Sequence, residues 1–198
     1  MPALVAGGLA ASFSSPGDEA RGAPVATDSG AANRAAVAPA PRNRARTRGA
    51  RPARPIHISI PTAGSSGPVD RIGVDDGALE IPPPGRAGWF DQGPRPGDLG
   101  RAVVVSHVDS REGPALFANL LTLKRGARIR VRDRRGTMHR FAVVRRRQVE
   151  KSRFAASMVY GPAAGPVLVL ITCGGPFSSD TGYRDNVIIY ARGVRERA

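Results

Sequence analysis

From residue 56 onward the chain is written in short apolar segments cut apart by glycine and proline. Residues 56–60 alternate strictly, with Ile56, Ile58 and Ile60 on one face and His57 on the other, which is the period of a strand. Comparable segments follow at 69–74, 78–81, 102–107, 128–132, 141–148, 167–172 and 186–191, the second and third parted by the turn-prone pair Asp76-Gly77. A helical spacing fits only 116–123 and, briefly, 152–158. Eight short strands with one or two small helices predict a mainly β fold, a closed eight-stranded barrel, because closure removes exposed sheet edges. Segments 128–132 and 138–144 flank Arg134-Arg-Gly136 and read as a hairpin. No internal repeat is present.

Residues 1–55 are of another kind. The stretch 14–55 is Ala, Gly, Pro, Ser and Arg with no aromatic side chain, and it cannot bury enough surface to offset its ordering entropy. It is expected to be a disordered arm, leaving 56–198 as the barrel domain. Its first residues, Met1-Pro-Ala-Leu-Val-Ala-Gly-Gly-Leu-Ala-Ala-Ser-Phe13, fall short of the roughly 20 apolar residues that span a bilayer. They read as a truncated signal or anchor, or as an Ala-rich start without meaning.

The formal charge of +14 is nearly all arginine, 28 of 30 basic residues. Arginine codons of a GC-rich genome account for this as well as attraction to polyanions does. Residues 124–147 concentrate it, with ten arginines, one lysine and Asp133 as the single acid. Such a patch could grip phosphates, but Phe141 is its only aromatic residue, which argues against nucleic acid. A solvated patch, or one facing an anionic membrane or wall surface, is the preferred reading.

Cys173 is the only cysteine, so neither an internal disulfide nor a multi-Cys zinc site is available, and no cofactor or metal is expected. It ends the run Leu168-Val-Leu-Ile-Thr-Cys173 and is followed by Gly174-Gly175. A lone cysteine at a strand end is more often a small buried hydrophobe than a nucleophile. The two glycines reverse those odds by leaving the sulfur uncrowded, while Thr172 adds a hydroxyl beside it. A thiol needs a neighbouring cation or base to react at neutral pH. Of three histidines, His57 and His139 look solvated; His107 ends an apolar strand at a polar turn, where it could protonate a leaving amine. Arg184, at the head of the last apolar segment, could donate hydrogen bonds to a developing oxyanion.

These segments resemble a known family. Leu168–Cys173 is similar to the sortase signature Thr-Leu-x-Thr-Cys, with Val169 in place of its first Thr. Together with Trp89, Pro96-Gly97, Ser106-His-Val-Asp-Ser110, Val159-Tyr-Gly161, the Ile-Thr-Cys-Gly-Gly run ending at Gly175 and Tyr183-Arg-Asp-Asn186, it resembles the actinobacterial class E/F sortases, class F most closely. Ser106 departs from the pattern, which commonly has Gly before the histidine. The resemblance implies a sortase-type barrel and cysteine transpeptidation without cofactor. Cys173 would attack the Thr–Gly bond of an LPxTG-like sorting signal, His107 would shuttle the amine's proton and Arg184 would hold substrate and oxyanion. The acceptor would be an amine of a peptidoglycan precursor, and the place of work extracytoplasmic, at membrane or cell wall. Segment 154–166 would form a wall of the substrate groove, with Phe154, Val159 and Tyr160 as apolar contacts and Thr172 beside them; core packing explains these residues equally well. A monomer without nucleic acid is expected.

Rival readings are a chymotrypsin-like cysteine protease and the basic binding module. The first would have a Gly where Ile171 stands and needs two barrels. A papain-like hydrolase would place Cys before His, and an L,D-transpeptidase would carry a Ser-His-Gly-Cys run; neither fits.

Overall fold

The computed structural model describes residues 51–75 and 78–194, so the expectation for residues 1–50 lies outside the described residues. The elements in chain order are β1 (Pro55–Ile60), β2 (Ser65–Ile72), β3 (Val74–Asp75), β4 (Ala78–Leu79), β5 (Ala87–Phe90) and β6 (Gly100–Val105). Then come β7 (Asp109–Ser110), β8 (Gly113–Pro114), β9 (Arg128–Asp133), β10 (Met138–Glu150), β11 (Pro166–Ser178) and β12 (Gly182–Gly193). Eight of them close a barrel in the order β1-β2-β5-β6-β11-β12-β10-β9, with β1 bonded to both β2 and β9. Closure is the predicted answer to exposed edges. The hairpin β9–β10 is as predicted too, its turn closed by Gly136 at φ 81°.

Alternation sorts side chains between two apolar layers. Ala102 and Val104 of β6, Leu168 and Leu170 of β11 and Val187, Ile189 and Ala191 of β12 fill the barrel. Val103, Val105, Val169, Ile171 and Ile188 face outward and are nonetheless buried, because the segment before β11 packs over them through Val159, Phe154, Met158 and Tyr160. This is why 167–172 reads as an unbroken apolar run rather than an alternating one: both of its faces are covered. Each such side chain, fully buried, stabilises the fold by about 1.5–3 kcal/mol.

Four local expectations are corrected. Segment 78–81 is no barrel strand; Ala78–Leu79 pairs only with Val74–Asp75. The barrel instead takes β5, a segment whose Gly88 masks the strand pattern. That glycine is needed where it stands, since a Cβ there would lie 2.7 Å from Ile72 Cγ2. The helical spacings resolve into single 3-10 turns, Leu120–Thr122, Lys151–Arg153 and Ala156–Met158. Phe117, Leu120 and Leu123 join the barrel core, so their spacing is satisfied by tertiary burial without a helix. A register shift between Pro55 and His57 leaves Ile56 half-buried while Ile58 and Ile60 are in the core. His139 is not solvated: its side chain is 14% exposed and its Nε2 lies 3.0 Å from Asp133 Oδ2.

Asp133 is the barrel's polar staple. Its carboxylate accepts from the amides of Ala53, Arg135 and Thr137 as well as from His139. Hydrogen bonding therefore begins ahead of β1: Arg134 N donates to Arg54 O, and Arg95 Nη1 to Pro52 O.

Candidate active site

Register brings the three expected chemical groups to one end of one face. β6 and β11 run parallel with Val105 opposite Ile171, and Ser106 N adds one more bond to Ile171 O at 3.2 Å. Each chain then continues two residues past that pair, to His107 and Cys173. On the other side β11 and β12 are antiparallel, with Cys173 opposite Asn186. His107, Cys173, Asn186 and Arg184 share the parity of Val105, Ile171 and Ile188, the outward layer. His107 and Cys173 are each half-buried. The loop carrying His107 is fixed on both sides of the imidazole: Ser106 Oγ donates to Arg86 O at 2.6 Å, and His107 O accepts from Phe117 N at 3.0 Å.

Arg184 is held rather than free. Its Nε donates to Asp185 Oδ1 at 2.7 Å and its Nη2 to Oδ2 at 3.2 Å, while Gln148 Nε2 donates to the same Oδ2 at 2.6 Å. The guanidinium and then the Gln148 amide hold the Asp185 carboxyl below its usual range. This fork occupies one edge of the guanidinium, and Nη1 makes no hydrogen bond among the described residues. The two glycines after Cys173 make room for this arrangement. A Cβ on Gly174 would stand 2.6 Å from Val187 Cγ2, and one on Gly175, at φ 77°, would collide with the Asp185 carboxylate.

A second tie crosses the site. Tyr183 Oη donates to Asp109 Oδ2 at 2.5 Å, joining the start of β12 to the small β7–β8 hairpin that follows His107. Its hydroxyl is pushed up to about 12, by this bond first, then by burial, the Asp109 charge and the nearby Cys173. Phe177 packs edge-on against the Tyr183 ring at 5.1 Å.

Of the expected substrate contacts, Phe154 and Tyr160 are half-buried on the outward layer, and Tyr160 stacks edge-on against Phe90 at 5.5 Å. Val159 is fully buried and serves as their base. Thr172 lies in the barrel-facing layer, 4% exposed, and its Oγ1 is buried without a hydrogen-bond partner. What the sequence reading passed over is how the wall is attached. Arg101 Nη1 donates to the carbonyls of Ser157, Met158 and Tyr160 at 3.0–3.2 Å, and Tyr190 Oη also bonds Met158 O. Three carbonyls turned toward one guanidinium leave no trace in the sequence.

Sequence and fold comparison decides the family. The model described as Sortase domain matches residues 58–194, most of the chain. The chain belongs to the sortase family. Sortases are cysteine transpeptidases associated with the cell envelope, and this chain carries a free cysteine, Cys173, within β11. Solved structures agree in fold. Sortase A from Corynebacterium diphtheriae is 24% identical with a TM-score of 0.57, over 76% of this chain and 64% of that one. Sortase C2 of Group B Streptococcus Pilus Island 1 is 20% identical with a TM-score of 0.56, over 71% and 73%. Sortase C-1 from Actinomyces oris is 20% identical with a TM-score of 0.55, again over 71% and 73%. No curated protein matches the sequence. Among the described residues no helix is long and apolar enough to cross a membrane.

Proposed function

We propose that this sortase, of class F type, cleaves an LPxTG-like sorting signal between Thr and Gly and transfers the acyl group to an amine of a peptidoglycan precursor. The observation that carries this reading is the common face and level of His107, Cys173 and Arg184, set by the registers of β6, β11 and β12. The Cys173 thiolate attacks the Thr carbonyl carbon, and the electron pair moves onto oxygen, where Arg184 Nη1 donates to it. Collapse expels the Gly nitrogen, which takes a proton from the His107 imidazolium and leaves a thioester on Cys173. Neutral His107 then accepts a proton from the incoming amine as its nitrogen attacks the thioester, and the thiolate departs. Phe154 and Tyr160 bound the groove on the side of the sorting signal's apolar residues, above Val159. Thr172, next to Cys173 on β11, faces the barrel interior rather than the groove. The work takes place on the extracytoplasmic side, and the chain acts as a monomer without nucleic acid.

The test is incubation with an LPxTG peptide and hydroxylamine, read by mass spectrometry. A hydroxamate product that disappears in Cys173→Ala is expected. Hydrolysis without exchange would replace transpeptidation by a protease-like role, and absence of any reaction with LPxTG and LAxTG peptides would overturn the substrate class.

A further inference from the structure

The barrel has a second chemically distinct face, on the outside of β9 and β10 and the end of β12. β9 reads Arg-Ile-Arg-Val-Arg-Asp, with Ile129, Val131 and Asp133 buried, so Arg128, Arg130 and Arg132 all point outward. On β10, Arg140 stands directly across from Arg130, and Ala142 lies between Arg128 and Arg192. Beyond the register shift after Val143, Arg145 and Arg147 come opposite Tyr190 and Ile188 and so continue the row outward. Arg128, Arg130, Arg132, Arg145, Arg147 and Arg192 make no ion pair among the described residues. The one acid of these strands before Glu150, Asp133, is turned inward and engaged by His139. Arg128 to Arg132 span about 13 Å, and adjacent strands stand about 4.8 Å apart, so the guanidiniums form a lattice rather than a line.

Elsewhere several arginines sit on carboxylates: Arg71 lies on Asp91, Arg86 on Asp70 and Arg184 on Asp185. Arg128, Arg130, Arg132, Arg145, Arg147 and Arg192 have no such carboxylate among the described residues. The geometry points to a docking surface for an anionic lipid bilayer, the phosphates of its headgroups lying against this arginine lattice. Charge complementarity selects a polyanion, and the surface details select a planar one. The other side chains among the arginines are Met138, Ala142 and Val144 with His57, Ser59 and the half-buried Tyr190, and no Phe, Tyr or Trp ring stands fully exposed there for a nucleic-acid base to stack on. Around the barrel β11 is two places from β10 and three from β9, so a bilayer against β9–β10 leaves the Cys173 face open beside the membrane rather than covered by it.

The test uses the full chain and vesicles of phosphatidylcholine with and without phosphatidylglycerol. The variant Arg128→Gln/Arg130→Gln/Arg132→Gln should bind the anionic vesicles at least about tenfold more weakly than wild type, with a melting temperature close to that of wild type because all three side chains are exposed on the outside of the barrel. The corresponding triple Lys variant should keep most of the binding. Wild-type binding should fall steeply with added salt and be absent from neutral vesicles. Unchanged binding by the Gln triple overturns the proposal, as does a loss confined to a control variant changed at Arg42, Arg44 and Arg46. Salt-insensitive binding, or single-stranded DNA displacing the vesicles completely, overturns it as well.

Discussion

A single guanidinium illustrates how the site divides its labour among atoms. Arg184 gives Nε and Nη2 to Asp185 and keeps Nη1 unused, so one side chain is both positioned and available. Lysine cannot do both, because its ammonium is a point donor without a fork. Arg184→Lys is therefore expected to lower kcat for peptide exchange at least tenfold, loss of a whole oxyanion donor typically costing about 10²–10³. Asp185→Asn, which keeps the guanidinium but loosens its hold, should cost less. Steady-state kinetics of both variants check the pair, and a near-normal Arg184→Lys rate removes the oxyanion role. Thr172 Oγ1, by contrast, is buried without a partner, and nothing in the structure explains it.

The elements proposed to bound the substrate groove are joined by side chains that cross between them. Arg101 on β6 holds the turn Ala156–Met158 and the residues after it through three carbonyls, and Tyr190 on β12 holds Met158 from the other side. The wall bearing Phe154 and Tyr160 thus hangs on two anchors. Arg101→Ala strips one of them and leaves the catalytic groups in place. The expected result is a KM for the sorting peptide raised about fivefold or more, with kcat changed far less, since the loss falls on binding shared by ground and transition states. Arg101→Lys should recover only part, because one ammonium cannot serve three carbonyls equally. A kcat loss equal to the change in kcat/KM would show that the wall acts in the transition state instead.

At the scale of the whole molecule the barrel's closing seam is sensitive to acid. Burial alone would raise the carboxyl of Asp133, but the His139 bond and the amides of Ala53, Thr137 and Arg135 outweigh it, and its pKa lies below the ordinary value. Asp70 is held low by Arg86, and Asp185 by Arg184 and Gln148. A carboxylate whose folded pKa is depressed stabilises the native state fully above its unfolded value, near 3.9, and loses that contribution as pH falls through the folded one. Stability should therefore be level at neutral pH and decline below about pH 4. Asp133→Asn should cost about 1–3 kcal/mol at neutral pH by weakening its amide and imidazole bonds, and should flatten the acid decline. Melting temperatures from pH 7 to pH 2 check both, and an unchanged acid profile in the variant removes Asp133 as a cause.

Sequence by itself determined the fold class, the hairpin β9–β10 and the arginine-rich character of residues 124–147. All of these are local: a period of two, a turn residue, a composition. The strand ends it set at His107 and Cys173 lie elsewhere, β6 stopping at Val105 and β11 running through Cys173 to Ser178. It misplaced the barrel's third strand because Gly88 and the prolines before β5 hide a strand whose pairing depends on Ile72, and it read two helices where apolar spacing is satisfied by burial against the barrel. Only tertiary structure decided which faces meet. The parallel register of β6 with β11 joins segments more than sixty residues apart, and no periodicity within either segment encodes it. The same is true of the Tyr183–Asp109 tie, of Arg101 on its three carbonyls and of Asp133 reaching Ala53. Local patterns fix which way a side chain points; long-range pairing fixes what it points at.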